Sequence, residues 1–281
     1  MPFFDDFPGA PQVVLITGAS SGTGKAAARY FAEQGWPVAA TMRNPGAETE
    51  LTGVPGVRLY PLDVTDPASV KIAIESVIAD FGHLVVLVNN AGYNLVGPLK
   101  TTSEATIMHP FQTNVFGMMR TIQQALPQLR AQGSGTIINI TSIGGLITLP
   151  FNSLYHTGKF AVDGLSESLK YELWPFGIQV KIVAPSGVKT DFATRSLDLI
   201  TPPGVPTPHE GAVQKMWEAF GKRMENQSTS EQIATVIYQA ATDGFDQIRY
   251  LADADAQQLH AGWKAMPNEA FFGMMNANFG L

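Results

Sequence analysis

The sequence predicts an α/β protein in one domain, residues 1–281, on a doubly wound parallel sheet of about seven strands with helices on both faces. Three observations predict it. Short β-branched runs alternate with helix-forming segments from Gln12 to Leu251, as successive βαβ units require. Runs such as Leu84–Val88 are apolar throughout, a pattern suited to a parallel strand buried on both faces. No internal repeat, linker or second domain divides the chain.

In order, residues 1–11 hold three Phe and three Pro and read as an arm packed on a surface. A first strand, Gln12–Thr17, leads through the glycine-rich turn Thr17–Gly24 into an Ala-rich helix, Lys25–Gln34, which Gly35 stops. Strands follow at Val38–Met42 and Val57–Leu62. Thr65-Asp66-Pro67 opens a helix to Phe81, with Pro at its first position and Gly82 as its stop. After Leu84–Val88, a long helix over 104–131 is strained by Pro110. A strand at Gly135–Thr141 precedes a helix carrying Tyr155 and Lys159 to about Trp174. A strand at Ile178–Ala184, helices at 211–224 and 231–241 and a last strand at Gln247–Leu251 complete the alternation. A Pro- and Thr-rich segment within 192–226 reads as a substrate flap, and 253–281 as a tail of mixed pattern.

Composition narrows the function. With 45% apolar residues the chain can bury a substantial core, and a net charge of −6 argues against nucleic acid or an anionic membrane as partner. No apolar run approaches the ~18 residues of a membrane span, and the acidic amino terminus does not resemble a signal peptide. With no cysteine there is no disulfide framework or thiol nucleophile. The five His are scattered without zinc-like spacing, so no metal is expected. A cytoplasmic enzyme acting on a small molecule is the expectation.

Tyr155 and Lys159 lie four apart and share one helix face. An ammonium there is expected to lower the phenol's pKa, so that the phenol exchanges protons with an alcohol or carbonyl at neutral pH. Ser142 follows the strand at Gly135–Thr141, at the strand end where open α/β sheets bind ligands. Strand, glycine turn and helix amino terminus together make a phosphate site. At the end of the second strand, Met42 and Arg43 stand where an acid would bind the ribose hydroxyl of NAD. A guanidinium suits a 2′-phosphate instead, which points to NADP.

These residues, in this order and spacing, resemble the short-chain dehydrogenase/reductases over Val13–Leu251: Thr17–Gly24, Asp63, Asn89-Asn90-Ala91-Gly92, Asn114, Ser142, Tyr155 with Lys159, and Pro185–Thr190. The resemblance implies a Rossmann-type fold and a homo-oligomer, dimer or tetramer. It implies that Gly18, Gly22 and Gly24, with Ser20, Ser21 and Thr23, hold the cofactor phosphates. By the same resemblance Asp63 and Val64 hold adenine, Asn89 steadies the sheet beside Ala91 and Gly92, and Pro185, Val188 and Thr190 border the nicotinamide. Tyr155 looks like the general acid/base, Lys159 its partner, Ser142 the group that polarises the substrate carbonyl, and Asn114 the seat of a water in a proton relay. Thr23, Pro110, His156, Gly158 and Ser186 depart from the family's usual pattern. Ser186 would be strained if its backbone needs φ > 0, and His156, one residue past Tyr155, is expected to face away as a bystander.

The segments that build the pocket in this family are largely apolar here: Leu95, Val96, Leu146, Leu149, Phe151 and Phe192, with Ser186. No Arg or Lys adjoins Ser142, although Arg195 lies in the flap. The expected reaction is NADPH-dependent reduction of a neutral, fairly bulky ketone to a secondary alcohol. The alternatives are an NAD-preferring secondary-alcohol dehydrogenase and a cofactor-sensing protein with little turnover.

Overall fold

The computed structural model describes residues 12–189, 197–199, 208–224 and 227–281. The arm expected at 1–11, part of the flap, and Thr190, Phe192 and Arg195 lie outside the described residues. Seven strands form the central sheet: β1 (Val14–Thr17), β2 (Val38–Met42), β3 (Val57–Pro61), β4 (Val86–Asn89), β5 (Gly135–Ile140), β6 (Ile178–Ala184) and β7 (Arg249–Leu251). Their spatial order is β7-β6-β5-β4-β1-β2-β3, every pairing parallel. The chain winds outward one way through β2 and β3, then returns to β4 on the other side of β1. That reversal opens a crevice beyond the carboxyl ends of β1 and β4, where open α/β sheets bind ligands.

Helices cover both faces, as expected. On one, α1 (Gly22–Glu33) packs with α7 (Ser230–Thr242) through Phe31, Ile233 and Ile237. On the other, α2 (Pro67–Phe81), α4 (Met118–Gln132) and α5 (Ser153–Leu173) bury Ile74, Ile122 and Val162. Helix α2 has the predicted ends: the Asp66 carboxylate accepts from Ala68 N at 2.9 Å, Pro67 occupies the first turn, and Gly82 closes the helix at φ 81°.

Three features differ from the sequence-based expectation. The helix expected over 104–131 is interrupted rather than merely strained: α3 (Glu104–Phe111) runs into a π turn, Gln112–Gly117, before α4. Pro110 lacks the N–H of a regular ladder, and the wider turn begins two residues later. Two short parallel pairs, Asn94–Val96 with Leu197–Leu199 and Val188–Lys189 with Ser228–Thr229, brace the rim of the crevice. Finally, the mixed tail folds into α8 (Ala254–Ala265) and α9 (Asn268–Phe279), which pack with α6 (Glu210–Met224) in a third apolar cluster containing Phe271, Met275 and Phe279. Those three recur every fourth residue, but exposed Phe272 and Met266 beside them blur the stripe in the sequence.

Edge strand β7 is tied down by two ionic groups. Lys181, buried in β6, donates to Asp243 Oδ1 at 2.9 Å, and Tyr250 of β7 donates to Asp243 Oδ2 at 2.7 Å. Arg249 pairs with Asp163 and Glu167 of α5.

Candidate active site

At the switch point, β1 and β4 are joined by side chains. Thr17 Oγ1 accepts from the backbone N–H groups of Asn90 and Ala91, at 2.9 and 3.0 Å, and Asn90 Nδ2 donates to the carbonyl of Thr17 at 2.9 Å. The glycine turn lies against this junction. A Cβ on Gly18 would come within 2.9 Å of Ala91 Cα, and one on Gly24 would overlap the Asn90 side chain and the Gly18 carbonyl oxygen. At those two positions the turn has room for backbone only. Ser21 precedes α1 without a side-chain cap, and the first turn of α1 holds no acid, so positively polarised N–H groups meet the crevice uncompensated.

Gly18, Ser20, Ser21, Gly22 and Thr23 line one arm of a cleft of about 860 Å³ that continues past Arg43, Asp63 and Val64. Arg43 is exposed at the end of β2. Burial works against ionisation of Asp63, but hydrogen bonds from Thr65 and the nearby Arg43 charge hold its carboxyl below the ordinary range. The backbone cradle, the open helix end and the cation at the end of β2 fit the phosphates of a dinucleotide.

Asn89 and Gly24 do not line the cleft. Asn89 is buried in a chain of side chains beneath it: Thr121 donates to Asn89 at 2.6 Å, Asn89 to Asn139 at 2.9 Å, and Asn139 to Ser166 of α5 at 2.9 Å. The sequence reading missed Thr121, Asn139 and Ser166, since single polar residues in strands and helices carry no local signal. Asn114 sits in the π turn, its Oδ1 accepting from Tyr93 N at 3.0 Å and its Nδ2 donating to Tyr93 O at 2.8 Å. The side chain thus pins the loop after Gly92. Gly117 in the same turn lies so close to Val64 that a Cβ would approach its Cγ2 to 2.7 Å.

Ser142, Tyr155 and Lys159 converge on the middle of the cleft. The Ser142 hydroxyl accepts from Gly144 N at 3.0 Å and reaches Pro185 O at 3.3 Å. Lys159 Nζ donates to Ile140 O at 3.0 Å and lies 5.7 Å from the centre of the Tyr155 ring. Here the expected electrostatics need correcting. Burial pushes the Tyr155 phenol up, and the opposing pull comes from its hydrogen bond with Ser142. Lys159 is itself desolvated, its pKa brought down to about 8 against the support of Asp163 one turn on. Turned toward the Ile140 carbonyl, the ammonium does not overcome the effect of burial on the phenol.

His156 is no bystander. It is buried, its Nε2 accepting from Leu149 N at 2.8 Å and its Nδ1 lying 2.8 Å from Gly144 O. Accepting at one nitrogen requires the proton on the other, so Nδ1 donates to Gly144 and the ring is neutral. Burial lowers its pKa further in favour of that form. Gly144 leaves space for the ring, since a Cβ would stand 2.8 Å from Nδ1. With both nitrogens engaged, His156 clamps the 142–150 loop to α5 and cannot relay a proton. His156→Phe should lower the unfolding free energy by about 1–3 kcal/mol for each of the two partners left unpaired, read from urea denaturation. An unchanged midpoint would refute the clamp.

The remaining departures resolve variously. Ser186 is not among the residues with positive φ, so the strain considered for it is absent. A Cβ on Gly158 would meet Val115 at an ordinary 3.8 Å, and nothing in the structure explains glycine there. The lining of the same cleft also includes the apolar Val96, Leu149, Trp217, Phe220 and Leu259, termed the chamber, together with the polar His109, Asn152, Gln227 and Asp255, and with Ser186 and Val188. Leu95, Leu146 and Phe151, expected to line the chamber, sit behind its wall. Leu95 is buried next to Val96, on the opposite side of a short strand, while Leu146 and Phe151 pack into the third cluster. Trp217 and Phe220 fall within the 192–226 segment read as a flap but are not singled out there, and Leu259, in the expected tail, went unread because α8 reaches the cleft only through tertiary packing. Among the described residues no group of three potential ligands could hold a metal.

A dinucleotide cradle at the switch point of a doubly wound sheet, with Ser, Tyr and Lys at its centre, defines an oxidoreductase that uses an NAD(P)-type cofactor. The chain matches the short chain dehydrogenase family over residues 12–198 and belongs to the short-chain dehydrogenase/reductases. It is 41% identical to the 3-ketodihydrosphingosine reductase of Bacteroides thetaiotaomicron over 182 residues, 65% of this chain and 66% of that one. The structure of a short-chain dehydrogenase from Streptomyces avermitilis superposes with a TM-score of 0.80 at 31% identity, covering 91% of this chain and 93% of the other. ElxO, solved with NADP bound, superposes with a TM-score of 0.74 at 29% identity, covering 88% and 99%.

Proposed function

We propose that this enzyme reduces a neutral, bulky ketone to a secondary alcohol with NADPH. The observation that carries the reading is a half-buried phenol, its pKa raised by desolvation, that lines the cleft beside Ser142. A bound reduced nicotinamide supplies the hydride. The Ser142 hydroxyl, whose bond to Pro185 is long at 3.3 Å, turns to donate to the substrate oxygen. Tyr155 then gives its proton to that oxygen as negative charge gathers there. The Lys159 ammonium, 5.7 Å from the ring, stabilises the phenolate left behind. Both bonds of the Asn114 side chain go to Tyr93, so a water returning the proton through this turn would be seated by main-chain groups.

The hydride transfer is reversible; a phenol raised by burial is in the protonated form that reduction needs, whereas alcohol oxidation needs the phenolate. The apolar side chains Val96, Leu149, Trp217, Phe220 and Leu259 in the lining favour a neutral, bulky substrate, and the likeness to a 3-ketodihydrosphingosine reductase supports a ketone on a long chain. A panel of prochiral ketones and keto acids, followed by NADPH consumption with product chirality recorded, tests this; strong preference for keto acids refutes it.

Arg43 and the likeness to an NADP-bound structure support NADP as cofactor. Arg43→Ala should cut the NADPH-to-NADH ratio of kcat/KM by about 10- to 100-fold, the loss of one or two charge-assisted hydrogen bonds. An unaltered ratio would reject the assignment. Exposed Phe116 and Phe160, from the π turn and α5, support a homo-oligomer. A cytoplasmic location is supported by the lack of cysteine, and among the described residues no helix is long and apolar enough to cross a membrane.

A further inference from the structure

Ser186, where the family's usual residue is glycine, is held by one carboxylate. Its N–H donates to Asp253 Oδ2 at 2.8 Å and its hydroxyl to Asp253 Oδ1 at 2.7 Å. The same Oδ1 accepts from Ala256 N at 2.7 Å, capping α8. Asp253 therefore grips two structures at once: the loop on the cofactor side of the cleft, and the helix that brings Leu259 to the chamber wall. The peptide between Pro185 and Ser186 is held on both edges. Its carbonyl accepts from Ile143 N at 2.8 Å and from the Ser142 hydroxyl, while its N–H points to Asp253. Apart from this grip, the backbone bond from Ala252 N to Ala184 O at 3.1 Å joins β7 to β6 at the start of the tail.

We propose that Asp253 and Ser186 form a latch that fixes the C-terminal wall of the chamber against the cofactor-side loop and so sets the affinity for a bulky ketone. This rests on the reading of the chamber as the ketone site. Asp253 is a positioning residue, acting through Ser186 and α8 rather than on substrate. A glycine at 186 would keep the N–H bond and lose the hydroxyl bond, leaving the wall held by one contact instead of two.

The test compares Ser186→Gly, Asp253→Ser and Ser186→Thr with the parent chain. Serine at 253 still caps α8 but is too short to grip Ser186. Ser186→Gly and Asp253→Ser are expected to raise the KM for a bulky ketone about five- to tenfold, the weight of one hydrogen bond, with NADPH Kd changed less than twofold. Amide hydrogen exchange in residues 254–265 should quicken in both, with or without NADPH, while Ser186→Thr restores the parent rates. Exchange rates and ketone KM unchanged in Asp253→Ser would overturn the latch. An equal loss of NADPH and ketone affinity would also overturn it, since the pair would then serve the cofactor loop alone. If the parent chain reduces no ketone, the functional reading fails, and hydrogen exchange still decides whether the latch exists.

Discussion

Tyr155→Phe is expected to reduce kcat for ketone reduction by at least about 10²- to 10⁴-fold, the usual worth of a positioned general acid, while NADPH Kd stays within about twofold. The substitution deletes one oxygen and leaves the ring where it packs beside His156, centroids 5.8 Å apart. What disappears is the phenolic proton beside Ser142 and Lys159. Stopped-flow reduction with NADPH, together with cofactor fluorescence titration, separates the two quantities. Turnover surviving within tenfold would mean that another donor protonates the substrate. The pH profile gives a second check. Lys159 titrates near 8, so its charge and the support it lends the phenolate are lost as pH rises through that value. The rate of reduction should fall over the same range. Stability moves the other way: the folded pKa lies below the ordinary 10.5, so the cost of the buried ammonium is complete below about 8 and is relieved as pH climbs toward 10.5.

Asp243→Ala is expected to destabilise the fold by about 3–5 kcal/mol, the cost of stranding one charge of a buried pair. Lys181 is 1% exposed, and its ammonium has Asp243 at 2.9 Å and the Tyr250 ring 5.6 Å away. Removing the carboxylate leaves that ammonium and the Tyr250 hydroxyl without their acceptor. Burial opposes ionisation of Asp243, but donation from Lys181, Tyr250 and Phe245 N holds its carboxyl below the ordinary range. Its contribution is thus present above the usual carboxylate pKa and vanishes as pH falls through the lowered value. Urea denaturation at neutral pH measures the loss, and Lys181→Met combined with Asp243→Ala should recover much of it by removing the stranded charge. A loss below about 1 kcal/mol in the single variant would mean that water reaches the pair.

The two results probe different depths of legibility. Tyr155, Lys159 and Ser142 were readable because a reaction demands particular residue types at particular spacings, and the chain keeps them close in sequence. Lys181 and Asp243 lie 62 residues apart, and nothing in either neighbourhood announces the other. The same holds for Ser186 with Asp253 and for Asn89 with Asn139, pairs made by strands and loops that meet only in the folded sheet. His156 shows a subtler limit. Helical spacing says that it leaves the Tyr155 face, yet its ring packs edge-on to the Tyr155 ring and the loop that folds over it takes up both its nitrogens.

From the residues in order one can read the winding of the sheet, the glycine turn and the convergence of Ser142, Tyr155 and Lys159. Each follows from periodicity, turn chemistry or i to i+4 geometry, all of which act over a few residues. Only the folded chain decided that burial raises the Tyr155 phenol against its bond with Ser142, that α6 and α8 bring side chains to the cleft, and that Ser186 is held by Asp253 rather than strained. Those outcomes depend on which distant groups exclude water and which supply a partner, and desolvation and long-range pairing have no signature until the chain has brought the groups together.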